Sequence, residues 1–162
     1  MLCKSKKYTE IASLMVRSGS IDPNESVGSG GWFPLHFTAL YGRLDVAQAL
    51  VEVGADIDKT KDDGVTPLYV ASHQGHVDVA RLLIGAGADI DKAKDNDDID
   101  MPMDDGATPL YLASQQNHVK VVRALLDGGA DATRARYDGM TPLMIAKERN
   151  YPEIVALIEA AA

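Results

Sequence analysis

The sequence predicts an all-α solenoid of stacked helix–turn–helix units joined by β-hairpin-like loops, and three observations predict it. First, a block recurs: Asp63-Gly64-Val65-Thr66-Pro67-Leu68-Tyr69-Val70-Ala71-Ser72 returns as Asp105-Gly106-Ala107-Thr108-Pro109-Leu110-Tyr111-Leu112-Ala113-Ser114 and as Asp138-Gly139-Met140-Thr141-Pro142-Leu143-Met144-Ile145-Ala146-Lys147, with a looser copy from Gly30 to Ala39. Second, the interval is constant. Gly31 to Gly64 and Gly106 to Gly139 are both 33 residues, and Gly64 to Gly106 is 42, so the period is 33 with one nine-residue insertion. Third, each block except the last is followed by an apolar run of helical length and a Gly-Ala-Asp triplet, at Gly54, Gly87 and Gly129. A repeat this short cannot enclose a core alone, so the core is a stack of thin layers, each resting on its neighbours.

The period, the Thr-Pro-Leu blocks, Gly75-His76 and the Gly-Ala-Asp triplets together resemble the ankyrin repeat, over roughly residues 10–162. The resemblance implies a concave protein-binding face formed by the hairpins and the first helix of each unit. The family's signature His remains only at His36, in a copy with Phe33 in place of Thr, while Tyr69, Tyr111 and Met144 hold the other positions. Thr–His hydrogen bonding of the family type is therefore not expected throughout.

In order, residues 1–29 form a basic tip and a degenerate capping unit, in which Glu10–Gly19 lines up with Asp45–Gly54. Residues 30–62 and 63–95 are full repeats, 96–104 an acidic insertion, 105–137 a third repeat and 138–162 a C-terminal cap. Within a unit, Thr66 is placed to cap a helix whose first position is Pro67, where a missing N–H costs nothing. Gly75 ends that helix by taking a left-handed conformation. A second helix from about Val77 to Ile84 is apolar on more than one side, as a layer between layers requires. In the last unit Glu159 stands where Ile84 stood, so one flank tolerates water.

Composition narrows the function. A net charge of −8 argues against binding a phosphate backbone, which depends on Lys and Arg displacing counterions. One cysteine, Cys3, makes no internal disulfide, and with no signal peptide or membrane-spanning stretch an intracellular setting, cytoplasmic or nuclear, is expected.

Catalytic and metal chemistry find no pattern. His73 and His76 straddle the Gly75 break, and no His-Glu-x-x-His arrangement occurs. The Asp-rich stretch Asp95–Asp105 invites a calcium reading, but its fifth and sixth residues are Ile99 and Asp100 where an EF-hand loop needs an oxygen ligand and Gly. A solvated loop, or a recognition loop carrying Ile99, Met101 and Met103, explains it better. No metal, cofactor or enzymatic activity is expected.

What remains is surface. Residues that change between copies on a fixed scaffold are the candidate contacts: on the first helices Leu40 and Tyr41, His73 and Gln74, Gln115 and Gln116, Glu148 and Arg149; near the hairpin bends Trp32, Val65, Ala107, Tyr137 and Met140. Trp32 has packing against the capping unit as its other role. Paired bases at Lys59/Lys61, Lys92/Lys94 and Arg134/Arg136 sit two apart on extended segments, so they would align into a cationic stripe. Of these Lys61, Lys94 and Arg136 are candidate contacts for an acidic or phosphorylated partner, with compensation by neighbouring Asp the alternative. The expected function is a monomeric, non-catalytic module that binds a protein or peptide. A regulatory segment docking within its own longer chain and an engineered scaffold without a natural partner are the alternatives.

Overall fold

A computed structural model of the chain describes residues 14–15, 17–20, 22–94 and 106–161. The acidic insertion and the basic tip, with the readings attached to them, lie outside the described residues. Among the described residues there are eight helices and no strand: α1 (Pro34–Tyr41), α2 (Leu44–Glu52), α3 (Pro67–Gln74), α4 (Val77–Gly85), α5 (Pro109–Gln115), α6 (Val119–Asp127), α7 (Pro142–Glu148) and α8 (Pro152–Ala161). Residues 14, 15 and 17 are also helical. The helices pair into four units. First helices α1, α3, α5 and α7 pack side by side in one row, second helices α2, α4, α6 and α8 in another. Between the rows lies the core, with Leu35, Leu50, Leu68, Leu83, Leu110, Leu125, Ile154 and Ile158 buried.

Each first helix begins as its residues dictate. The Thr66, Thr108 and Thr141 hydroxyls accept from the backbone N–H groups of Tyr69, Tyr111 and Met144, each at 3.2 Å, and a proline follows each cap. Phe33 has no hydroxyl, and there the His36 ring accepts from the Phe33 N–H through Nδ1 at 3.4 Å. Past each helix end a residue turns left-handed: Gly42 (φ 65°), Gly75 (φ 78°), Asn117 (φ 60°) and Asn150 (φ 57°). Asn stands in for Gly in the last two because its short polar side chain tolerates this region.

Units are joined by rings and carboxylates. His76 donates through Nε2 to the Leu40 carbonyl of the preceding unit at 3.1 Å, and His118 likewise to His73 at 3.0 Å. These rings lie so close to the turns beneath them that a Cβ on Gly42 or Gly75 would stand 2.6 Å from the His76 or His118 Nδ1. The Gly-Ala-Asp segments make a second set of rungs. The Asn24 side chain accepts from the Asp56 N–H at 2.8 Å, the Asp58 carboxylate from Asp89 at 3.1 Å, and the Asp91 carboxylate from Asp131 at 3.1 Å. Thr133 takes the next position and bonds Asp131 of its own segment.

The hairpins close with three-residue loops. The Lys61 N–H bonds Val65 O and the Gly64 N–H bonds Lys61 O, both at 3.0 Å, with Gly64 at φ 76°. Arg136, Met140 and Gly139 repeat this at 2.9 Å. A left-handed residue closing a type I turn suits a hairpin loop of this length. At the insertion, the Lys94 N–H still reaches Ala107 O at 3.0 Å. At the C-terminal end, Glu159 is exposed and pairs with Lys147 at 2.8 Å, as a layer facing water allows.

Candidate partner-binding face

The C-terminal ends of the first helices bring four of the candidate residues to equivalent places in the four units. Tyr41 and Gln74 are the last residues of α1 and α3; Gln116 and Arg149 follow the last residues of α5 and α7. All four are exposed, Tyr41 by 61%. One residue earlier, His73 and Glu148 are exposed, whereas Leu40 and Gln115 are half-buried. The Gln74 amide lies 3.3 Å from the His73 ring. The helix ends thus present a row of aromatic, amide and charged groups.

The hairpin candidates divide. Tyr137 is exposed, its ring against Gly106, and Met140 is half-buried. Val65 and Ala107 are buried, at 6% and 0% exposure, and offer a partner almost no area. Both precede a helix cap and supply the hairpin's carbonyl acceptor, which turns their side chains into the stack. Trp32 is half-buried. Its ring lies 5.2 Å from Phe37 and edge-on to His36 at 6.0 Å, and it carries the Lys61 ammonium 4.2 Å over its face.

The paired bases do not form the solvated stripe that their spacing suggests. Lys61 pairs with Asp63 at 3.0 Å, with only 12% of its side chain exposed, and Lys59 stands 5.0 Å over Phe33. Lys92 donates to the Asp58 carbonyl at 3.4 Å. Arg136 donates to the Tyr111 hydroxyl at 3.1 Å, lies 5.2 Å over its ring and pairs with Asp138 at 3.3 Å. Lys94 is half-buried. Extended backbone does place i and i+2 on one side, but long stems let the charged heads of Lys59, Lys61 and Arg136 fold onto an aromatic face of their own repeat, and a neighbouring Asp pairs with Lys61 and Arg136. Charges held this way have less to give an acidic partner. The missed participants were the aromatic residues themselves, Tyr111 above all, which the repeat alignment treats only as a replaced histidine.

The surroundings of His36 oppose its charge. It is fully buried, and burial holds its pKa below the ordinary 6.5; the Lys61 charge acts in the same direction, and the Val65 carbonyl and Asp63 act against them. Its Nε2 donates to Val65 O at 2.9 Å, a bond from the first unit to the second unit's hairpin. Tyr111 plays the corresponding part between the third and fourth units. Asp131 has its pKa lowered by the Thr133 hydroxyl and N–H. Among the described residues no three His, Cys, Asp or Glu side chains gather as metal ligands, and no helix is long and apolar enough to cross a membrane. The arrangement is suited to contact rather than to proton transfer: its buried histidine is saturated, and its exposed groups are spread along a row.

A search of curated protein sequences found no match to this chain. The family model for ankyrin repeats, three copies, matches residues 1–94 and again 92–161, which is nearly the whole chain. Ankyrin repeats generally serve as protein–protein interaction modules and are typically non-catalytic. With its 33-residue period, its two rows of helices and this match, the chain belongs to the ankyrin repeat family.

Proposed function

We propose that this protein is a non-catalytic module that binds a partner protein or peptide along the face made by its hairpins and the ends of its first helices. The observation that carries the reading is the exposed row Tyr41, Gln74, Gln116 and Arg149, which runs from an aromatic ring through two amides to a guanidinium while the helix geometry beneath it repeats. Tyr and Arg are also residue types that concentrate binding energy in interfaces. An acidic or phosphorylated partner recognised by the hairpin cations has less support, since Lys61 and Arg136 are already held by carboxylates and aromatic rings. An intracellular setting, cytoplasmic or nuclear, and a monomeric state belong to the same reading.

The test compares partner capture by the intact chain and by the combined variant Tyr41→Ala, His73→Ala, Gln116→Ala and Arg149→Ala. These residues are exposed, so the helical circular dichroism should be unchanged. A partner held by the first and lost with the second supports the face; undiminished capture by the variant places the contact elsewhere.

A further inference from the structure

We infer that the occupant of this row is an extended peptide segment, laid along the stack, with an apolar side chain on Tyr41 and a carboxylate on Arg149 about nine residues away. The inference rests on the proposed binding face and adds the chemistry and length of what binds there.

The argument starts from spacing. Neighbouring packed helices are about 8–10 Å apart, and an extended chain rises about 3.3 Å per residue, so each unit matches about three residues of an extended peptide. Tyr41 and Arg149 are three units apart, which sets about nine residues between their contacts. A helix in the groove would not fit that ruler as well: at 1.5 Å per residue a step of one unit takes roughly six residues, and successive contacts would rotate off the row.

The chemistry along the row then assigns the contacts. Tyr41 is an exposed aromatic residue, suited to covering an apolar side chain. Gln116, and Gln74 beside His73, present amides that both donate and accept, as the main chain of an extended segment requires. Arg149 closes the row. Its guanidinium has no hydrogen-bond or ion-pair partner among the described residues, in contrast to Arg136 on the hairpin and to Lys147 two residues before it, which is tied to Glu159. A planar, uncommitted fork is matched by a carboxylate, which it can bind through two parallel hydrogen bonds. Lys61 and Arg136, by contrast, are already paired with Asp63 and Asp138.

The experiment is a selection on the whole chain from a displayed library of random sixteen-residue peptides, followed by affinity measurements on the enriched peptides. The expected result is a set carrying Asp or Glu about nine residues from an apolar residue. Arg149→Glu should weaken these at least tenfold and restore binding when the peptide's acid is replaced by Lys; Tyr41→Ala should weaken them independently of charge. Peptides that depend on Gln116 and His73 but show no such pair, or that survive Arg149→Glu, would overturn the inference and leave the binding face standing. A selection that yields no peptide sensitive to any residue of the row would overturn both.

Discussion

The joint between the first two units and the joint between the last two are built on one plan from different side chains. In the first, the third residue of the helix is His36, and its ring bridges the Phe33 N–H and the Val65 carbonyl of the next hairpin, with Trp32 and Lys61 stacked alongside. In the last, the same helix position is Tyr111, whose hydroxyl and ring both engage Arg136 of the next hairpin. Beneath them, His76 sits on Gly42 in one joint, while Asn117 occupies the corresponding turn in the other. What repeats is a requirement. In both joints the first helix hands one polar contact to the following hairpin, and a ring of the right reach makes it whether it is imidazole or phenol.

The comparison breaks most severely at Tyr111. It is 2% exposed, so Tyr111→Ala leaves a cavity and removes the ring and hydroxyl that Arg136 engages; a loss of about 3–5 kcal/mol is expected by denaturant titration, against about 1 kcal/mol for Tyr111→Phe. Because stability in such a stack is local, the two halves should then unfold separately, visible as two transitions. Next comes the turn. Gly75→Ala combines a left-handed φ of 78° with a Cβ 2.6 Å from the His118 ring, and should cost about 2 kcal/mol, whereas Asn117→Gly at the equivalent turn should change stability by less than about 0.5 kcal/mol.

His36 sharpens the contrast through pH. Its folded pKa is lowered, so the unfolded chain takes up the proton first; the contribution is complete above the ordinary value of 6.5 and declines as pH falls from there toward the folded value. The midpoint of thermal unfolding should fall over that window in the native chain and fall less in His36→Gln, with Lys61 and Asp63 present in both. The smallest effect is expected from Lys61→Met. It removes an ion pair and a cation over Trp32 but keeps the apolar stem, and about 0.5–1 kcal/mol should be lost.

Much of the scaffold was readable from sequence because its causes are local. A Thr before a Pro, a Gly after an apolar stretch and a 33-residue recurrence each act within a few residues of themselves, and Thr66, Pro67 and Gly75 stand where those rules put them. The contacts that join units were not readable in the same way. Gly-Ala-Asp marked a segment, but that Asp58 would accept from the backbone of Asp89 depends on how one layer rests on the next. Variation between copies singled out Val65 and Ala107 as well as Tyr41 and Arg149, though only the latter pair is exposed; a variable residue can vary because it fits a different neighbour. Likewise, two bases on an extended segment said nothing about the aromatic ring, near the start of the same repeat, that draws Lys61 and Arg136 inward.

The carboxylate rungs have one more consequence. Asp58 and Asp89 are 31 residues apart, Asp91 and Asp131 are 40 apart, and both rungs close at 3.1 Å. The scaffold therefore measures layer to layer in space and is indifferent to contour length at the hairpin tip, where doubling a flexible loop costs only about 0.6 kcal/mol. That tip is a place where foreign sequence can be spliced in and displayed, while the rungs on either side keep their register.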